Sequence, residues 1–259
     1  MILVKSYWKS KDLFVQLTLR EIKSKYKQSI LGYAWVILVP LFNLLVLTVV
    51  FSFFVRIRTG AIPYTIFLFV GLVPWTFTSN AISAATSSVV SNSTLITKVF
   101  FPREIIPLSA IAAKLLDFFL ISLILILFIV FYRIPFHLSL LFVPLIFIIQ
   151  LCLVCGISLI LSSVNIFFRD VENILGVFLM FWMYLTPVLY PPQLVPVKYL
   201  TIYNLNPMTP LINAYRNVIL YGIGPNWSSF LYSVICSIIA LTLGYIIFRK
   251  LEKSFADVI

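Results

Sequence analysis

SNSTLITKVFFPREIIP, residues 91–107, is a short charged interruption between two very long apolar segments, and the rest of the chain is organised around it. Asn92 and Ser93 are good helix N-caps, and Pro102 ends the helix that they begin. The apolar residues that share one face of this helix are Leu95, Ile96, Val99 and Phe100. We interpret residues 93–101 as a surface helix that offers an apolar knob and the charges of Lys98, Arg103 and Glu104. The alternative is an ordinary loop between helices.

The composition excludes an ordinary soluble domain, because 62% of the 259 residues are hydrophobic and only 10% are charged. The chain is therefore expected to be an integral membrane protein. A net charge of +11 would indicate nucleic acid binding in a soluble protein. Here the basic residues cluster in the loops between apolar runs, which is typical of the cytoplasmic side of a membrane protein.

Long runs with few charges predict six membrane spans, since a helix needs about 20 residues to cross the hydrocarbon core. The predicted spans are residues 28–55, 64–90, 105–131, 138–164, 174–190 and 229–248. The second span contains Gly71 and Pro74, so we expect it to be kinked or broken near Trp75. The whole chain, 1–259, is predicted to be one all-α transmembrane domain.

Two regions outside the spans are predicted to form helices that do not cross the membrane. Residues 11–28 are amphipathic, as expected of a helix in the headgroup plane. Its apolar stripe is Val15, Leu19, Ile22 and Tyr26, and its basic stripe is Arg20, Lys23 and Lys27. Within residues 191–227, the stretches 194–203 and 211–221 are too short to span, with Thr209 expected as N-cap and Pro210 as first helical residue. We interpret them as short re-entrant or surface helices on the outer face.

The distribution of basic residues predicts the orientation. Six spans place both termini on one side, and that side carries 14 of the 19 Lys and Arg residues. By the positive-inside rule, both termini are expected in the cytoplasm, with the chain in the inner membrane.

Several chemistries are not expected from this sequence. None of the eight glycines begins a GxxxxGK[ST] phosphate loop, and His137 is the only histidine. Cys152 and Cys155 form a CxxC inside an apolar helix without a nearby histidine or carboxylate, so metal or redox use is not expected. The chain is predicted to be no enzyme and to hold no cofactor, which leaves a membrane pathway powered or gated by another subunit.

Four segments in order resemble the membrane subunit of type-2 ABC exporters. They are LREIKSKYKQSILGYAWVILVP (19–40), LITKVFFPREIIP (95–107), NIFFRDVENILGVFLMFWMYLTPVLYP (165–191) and YNLNPMTPLINAYRNVILYG (203–222). The chain looks most like the permeases that export lipid-linked O-antigen or teichoic-acid polysaccharides.

The resemblance implies partners and a coupling surface. In such permeases the loop between spans two and three is a coupling helix held by a separate ATPase subunit, which binds the ATP and Mg. The coupling residues implied here are Thr94, Leu95, Ile96, Lys98, Val99, Phe100 and Arg103. The N-terminal helix is implied to touch the ATPase, the short helices after span five to close the outer mouth, and two permeases to form a homodimer.

A long glycan needs a continuous path, and aromatic side chains offer stacking surface for sugar rings. The candidates for that path are Trp75, Phe181, Trp182, Tyr184 and Tyr190; the alternative is an interfacial belt and helix packing. Arg20, Lys23 and Lys27 are expected to meet a polyprenyl pyrophosphate head or, alternatively, anionic lipid. Two other functions stay open: an exporter of drugs or ordinary lipids, and a non-transporting membrane scaffold.

Overall fold

The computed structural model describes residues 11–26, 32, 34–98 and 101–258, and this part of the chain contains helices and no strand. The α-helices are α1 (Lys11–Tyr26), α2 (Ala34–Val49), α3 (Tyr64–Ser91), α4 (Ser93–Lys98), α5 (Ile105–Phe131), α6 (Val143–Phe167), α7 (Asp170–Leu185), α8 (Leu200–Asn204), α9 (Met208–Ile219), α10 (Trp227–Leu251) and α11 (Phe255–Val258). Short 3-10 or π-helical turns extend several of them. Within the described residues, five helical stretches are long and apolar enough to cross a membrane: Ala34–Phe54, Tyr64–Ser91, Ile105–Phe131, Leu138–Phe167 and Trp227–Ser254.

The predicted fifth span corresponds to α7, which begins four residues and ends five residues earlier than predicted. It has 16 residues, or about 24 Å at the helical rise, so it falls below the usual length of a crossing helix. The predicted end at Tyr190 is wrong, because α7 stops at Leu185. Thr186 precedes Pro187, and the proline ring disfavours helical backbone in the residue before it.

Helix α3 is the most enclosed of the five long helices. It packs against α5, α6, α7, α9 and α2, and it runs without a break through Gly71 and Pro74. Of the predicted kink or break near Trp75, the break is therefore wrong. The Gln150 amide of α6 donates to the Pro74 carbonyl at 2.7 Å and to Thr78 Oγ1 at 2.8 Å, and Tyr215 OH donates to Gln150 Oε1. Neighbouring helices thus supply polar partners at the proline.

Helices α6 and α10 form the most extensive helix pair in the described chain, and they meet through small residues. A Cβ built on Gly156 would lie 2.3 Å from the Ala240 backbone, and one on Gly244 would lie 2.3 Å from the Gly156 carbonyl oxygen. Only glycine fits at both positions. The two backbones are therefore in direct contact, as in other small-residue contacts between membrane helices.

The two short helices predicted for residues 194–203 and 211–221 differ from the prediction in their boundaries. The first stretch becomes two 3-10 turns followed by α8, and the second becomes α9, which begins at Met208. The prediction of Thr209 as N-cap is wrong, because Pro207 holds the N-cap position of this helix. The Asn206 Oδ1 accepts the Met208 N–H at 3.0 Å. Thr209 lies inside the first turn and donates to the Tyr203 carbonyl.

Candidate functional site

Helix α4 starts immediately after α3, and the base of α4 is tied to α1. Asn92 lies between the two helices, and its backbone carbonyl accepts the Leu95 and Ile96 N–H groups. The Asn92 side chain bonds away from α4, because its amide donates to the Ser88 carbonyl and its oxygen accepts Arg20. Arg20, predicted for headgroup contact, therefore contacts the junction that leads into α4.

The predicted coupling residues divide between the surface and the interior. Thr94 is exposed, Leu95 is half-buried, and Ile96 is only 4% exposed. Ile96 belongs to a cluster that also contains Leu17 of α1, Phe101, and Phe248 and Phe255 at the C-terminal end. At Ile96 the apolar face therefore turns inward rather than forming an outward knob. Val99, Phe100 and the side chain of Lys98 lie outside the described residues.

Charged side chains attach the C-terminal segment to the start of α5. Arg249 pairs with Glu104 at 2.6 Å and with Glu252 at 2.8 Å, and the Glu104 side chain is almost fully buried. Arg103, another predicted coupling residue, donates to the Glu252 carbonyl and lies 5.9 Å from the Phe255 ring centroid. Apart from the Arg249–Glu252 pair, these contacts join residues about 150 positions apart, and no local pattern in the sequence indicates them.

Helix α1 has two apolar faces. Leu13, Phe14 and Leu17 pack against the rest of the chain, whereas Val15 and Leu19 of the predicted stripe are each 41% exposed. Lys23 is exposed, and Lys27 lies outside the described residues. One apolar face of α1 is therefore not covered by the described part of the chain.

The five aromatic path candidates form two contacts, and two of them, Phe181 and Tyr184, are more than half exposed. Trp75 is buried and meets Trp182 edge-on, with ring centroids 5.6 Å apart. Tyr190 OH donates to the Tyr184 carbonyl at 2.9 Å. Phe181 is 58% exposed on the free face of α7.

Two cavities lie on either side of the Trp75–Trp182 contact. The larger, about 1140 Å³, lies between α6, α7 and residues 190–207, and its walls include Trp182 and Tyr190. The smaller, about 540 Å³, lies between α2, α3 and α5, and its walls include Trp75. Phe181 and Tyr184 line neither of them, so the structure does not gather the five candidates around one space.

A buried arginine, which the sequence interpretation missed, holds the link after α7. Arg216 of α9 is 2% exposed and donates to the Val188 carbonyl at 2.7 Å, to the Phe67 carbonyl at 3.3 Å and to the Pro187 carbonyl. Its guanidinium lies 3.6 Å from the Phe67 ring centroid. Burial lowers the pKa of Arg216 to about 9, so the side chain stays charged at neutral pH. Tyr64 OH adds a bond to the Leu189 carbonyl at 2.7 Å.

Metal-binding and disulfide chemistry finds no support in the described part of the chain. No group of three or more His, Cys, Asp or Glu side chains there is placed to hold a metal ion. Cys152, Cys155 and Cys236 are all free thiols.

Comparison with known proteins identifies the family. The family model for ABC-2 type transporters matches residues 12–220. The chain is 34% identical over 251 residues to the O-antigen export system permease protein RfbA of Klebsiella pneumoniae, covering 96% of this chain and 95% of that protein. It is 30% identical to the RfbA protein of Myxococcus xanthus, covering 98% of each, and 26% identical to the polysialic acid transport protein KpsM of Escherichia coli, covering 92% and 93%. These matches run nearly end to end, and the chain belongs to the ABC-2 type transporter family of membrane proteins.

Proposed function

We propose that this chain is the permease subunit of an ATP-driven exporter of lipid-linked polysaccharide, of the O-antigen type. The observation that carries the proposal is the nearly full-length similarity to two O-antigen export permeases. Similarity over the whole chain matters here because a shared fold alone does not define a substrate.

In the proposed topology, α7 is the fifth of six crossings, and both termini are cytoplasmic. A short helix can cross where the bilayer thins or where partner helices surround it. α1, α4 and α11 then lie together on the cytoplasmic side, while α8 and α9 lie at the outer face and close the mouth of the path. The concentration of Lys and Arg in the terminal regions supports this orientation.

The energy source in this proposal is a separate ATPase subunit that binds ATP and Mg. It would contact α4 and the segment that follows, through the exposed Thr94, the charged Lys98 and Arg103, and the apolar Val99 and Phe100. Leu95 and Ile96 would fix α4 to the permease, since Ile96 packs inward. Movement of α4 would pass to α3, which it directly follows, and to α10 through the Glu104–Arg249 pair.

The path in this proposal forms between two copies of the chain. The apolar faces of α2 and α7 are left open by the rest of the protomer; Phe42, Leu45 and Phe181 are each more than half exposed. Trp75, Trp182, Tyr184 and Tyr190 would supply further aromatic surface along the path. Arg20, Lys23 and Lys27 would meet the pyrophosphate of the lipid carrier or the surrounding anionic lipid.

The test is co-purification of the chain with a candidate ATPase, followed by ATP hydrolysis in lipid with and without polyprenyl-linked glycan. We expect a stoichiometric complex whose hydrolysis responds to the glycan. A complex that ignores glycan and responds to a small amphiphile would move the function to drug or lipid export. If no ATPase co-purifies, a membrane scaffold becomes the better description.

A substitution separates coupling from assembly. Phe100→Asp is expected to abolish export while leaving membrane insertion unchanged, because a carboxylate cannot enter an apolar cleft in a partner. Surface display of polysaccharide, compared with the amount of permease in the membrane, is the measurement. Normal export by this variant would exclude a coupling role for Phe100.

A further inference from the structure

The larger cavity is an apolar space that opens along the side of the protomer. Its volume of about 1140 Å³ exceeds the range of about 300–1,000 Å³ that is usual for small-molecule sites. No charged residue is among the described residues that line it. Ile174, Phe178 and Leu185 line the cavity and are each more than half exposed. The cavity is therefore open to whatever surrounds the protomer in the membrane.

Three polar side chains of the lining use their polar groups within the chain. Asn206 Oδ1 accepts the Trp182 Nε1–H at 2.9 Å, and Asn206 Nδ2 donates to Thr186 Oγ1 at 2.8 Å. Tyr190 OH donates to the Tyr184 carbonyl at 2.9 Å. A sugar in this cavity would exchange its hydrogen bonds to water for few new ones, which is costly. The lining therefore favours a hydrocarbon ligand.

The part of the lining that belongs to α7 forms one stripe that matches the length of a lipid chain. Its members recur at a spacing of three or four residues and so share a helical face: Val171, Ile174, Phe178, Trp182 and Leu185. The stripe covers about 21 Å at the helical rise, whereas one leaflet contributes about 15 Å, half of the hydrocarbon core of about 30 Å. An acyl chain from one leaflet can therefore lie along this stripe.

One end of the cavity carries charges of both signs. Val171 lines the cavity at the start of α7, where the exposed Arg169 is followed by two exposed carboxylates, Asp170 and Glu172. One positive and two negative charges give an anionic headgroup no advantage at this end.

The other end carries a cation beside the lining. Lys198 is exposed, and its Nζ lies 5.7 Å from the ring centroid of Tyr199, which lines the cavity. The sequence contains no acidic residue from 173 to 251, so no carboxylate of that stretch opposes Lys198. Tyrosine and tryptophan side chains, such as Tyr199 and Trp182 here, are typical of the depth at which headgroups lie. This end therefore favours an anionic headgroup.

We propose that the larger cavity binds one acyl chain of an anionic phospholipid, with the headgroup phosphate at Lys198. The chain fills the gap between α6 and α7. Phospholipid surrounds a membrane protein in large excess over other lipids, so mass action favours it as the occupant. A single lysine near the headgroups favours an anionic over a zwitterionic lipid by about fivefold. This inference goes beyond the proposed function, because it does not depend on the transported substrate.

The test uses the full-length chain in vesicles of phosphatidylcholine that contain a trace of phosphatidylglycerol with a photoreactive diazirine at the end of one acyl chain. Cross-linked residues are mapped by mass spectrometry. We expect the lining residues Leu161 and Leu175 to be labelled about fivefold or more above Ile238 and Ile239, which are more than half exposed on α10 outside the cavity. Equal labelling of the two sets would overturn the proposal.

Lys198→Gln tests the headgroup contact. In the wild type, unlabelled phosphatidylglycerol should compete with the probe about fivefold more effectively than phosphatidylethanolamine, and in Lys198→Gln the difference should fall below about twofold. Lys250→Gln, at an exposed position near the end of α10, is the matched control and should keep the preference of the wild type. An unchanged preference in Lys198→Gln would contradict the phosphate contact.

Leu161→Trp tests whether the chain enters the cavity. The larger side chain occupies part of the space, so labelling of Leu175 should fall to the level of Ile239. Leu243→Trp, the same change at an exposed position of α10, should leave the labelling of Leu175 unchanged. Equal labelling in the two variants would show that the acyl chain lies outside the cavity.

Two other occupants are distinguished with the same preparation. If decaprenyl phosphate displaces the probe at a lower concentration than phosphatidylglycerol, the cavity belongs to an isoprenoid chain and the proposal is wrong. If Phe178→Cys forms a disulfide-linked dimer under mild oxidation and the wild type does not, a second copy covers the opening and the proposal is also wrong. We expect neither result.

Discussion

The two ends of the molecule hold their non-helical segments by different means. At the end that carries α4, charges are paired: Arg249 binds the carboxylates of Glu104 and Glu252, and Phe255 fills an apolar cluster beneath them. At the opposite end, Arg216 binds carbonyl groups and the face of an aromatic ring. The α4 end has ion pairs in addition to the bond from Arg103 to the Glu252 carbonyl, whereas at the other end Arg216 is held by backbone carbonyls and a ring.

This difference has a consequence for how each end responds to change. A guanidinium bound to carbonyls fixes the local backbone conformation of residues 187–188, because the acceptors belong to the chain itself. An ion pair between side chains leaves more backbone freedom, since side chains can rotate and keep the contact. We therefore expect substitutions at the Arg216 end to cost more than those at the α4 end.

Arg216→Met should produce the largest effect. It removes the donor for three carbonyls, two of them in a non-helical link, and we expect a loss of about 3–5 kcal/mol. The midpoint temperature of unfolding of the solubilised protein is the measurement. Arg216→Lys is the control, because it keeps the charge without the planar fork and should lose less. A Met variant as stable as wild type would remove the proposed difference between the ends.

Phe255→Ala should rank second. The ring is fully buried and meets Phe248 edge-on with centroids 5.4 Å apart, so truncation is expected to cost about 3–4 kcal/mol. We also expect faster hydrogen exchange in α4, which packs against α11. Val258→Ala in the same helix, where the side chain is 46% exposed, should leave both quantities unchanged. Equal exchange in both variants would show that the C-terminal segment does not support α4.

Glu104→Gln should have the smallest effect of the three, about 1–2 kcal/mol, because the amide can still accept a hydrogen bond from Arg249. A double-mutant cycle with Arg249→Met would isolate the pair, and we expect a coupling above about 0.5 kcal/mol. Additive single effects would mean that the contact contributes nothing to holding this end together.

Much of the fold follows from the apolar runs. The third predicted span, residues 105–131, coincides with α5, since charges and prolines mark both of its ends. At Pro74 the sequence predicts a kink or a break, and the structure shows no break, since the helix continues to Ser91. The Gln150 amide, 76 residues away in the chain, donates to the Pro74 carbonyl. This amide within a long apolar run was the signal that could have indicated a polar contact there.

The contacts of the candidate site were harder to predict from the sequence than the helices. The resemblance located α4 and the family, but local periodicity could not show that Ile96 turns inward, because the cluster beneath it comes from both ends of the chain. Arg216 lies in residues 211–221, which the sequence predicts only as a short re-entrant or surface helix. Its burial depends on carbonyls at positions 67, 187 and 188, which only the folded chain brings together.

The backbone contact of Gly156 with Ala240 and Gly244 makes α6 and α10 a rigid helix pair within the membrane. Where the two backbones touch, at Gly156 and Gly244, sliding of one helix along the other would drive backbone atoms into contact. We therefore expect the rearrangements that accompany transport to occur outside this helix pair. The least buried of the long helices, α2, is the first candidate. Probes on α6 and α10 would keep a constant separation throughout the cycle and provide the fixed frame against which other movements can be measured.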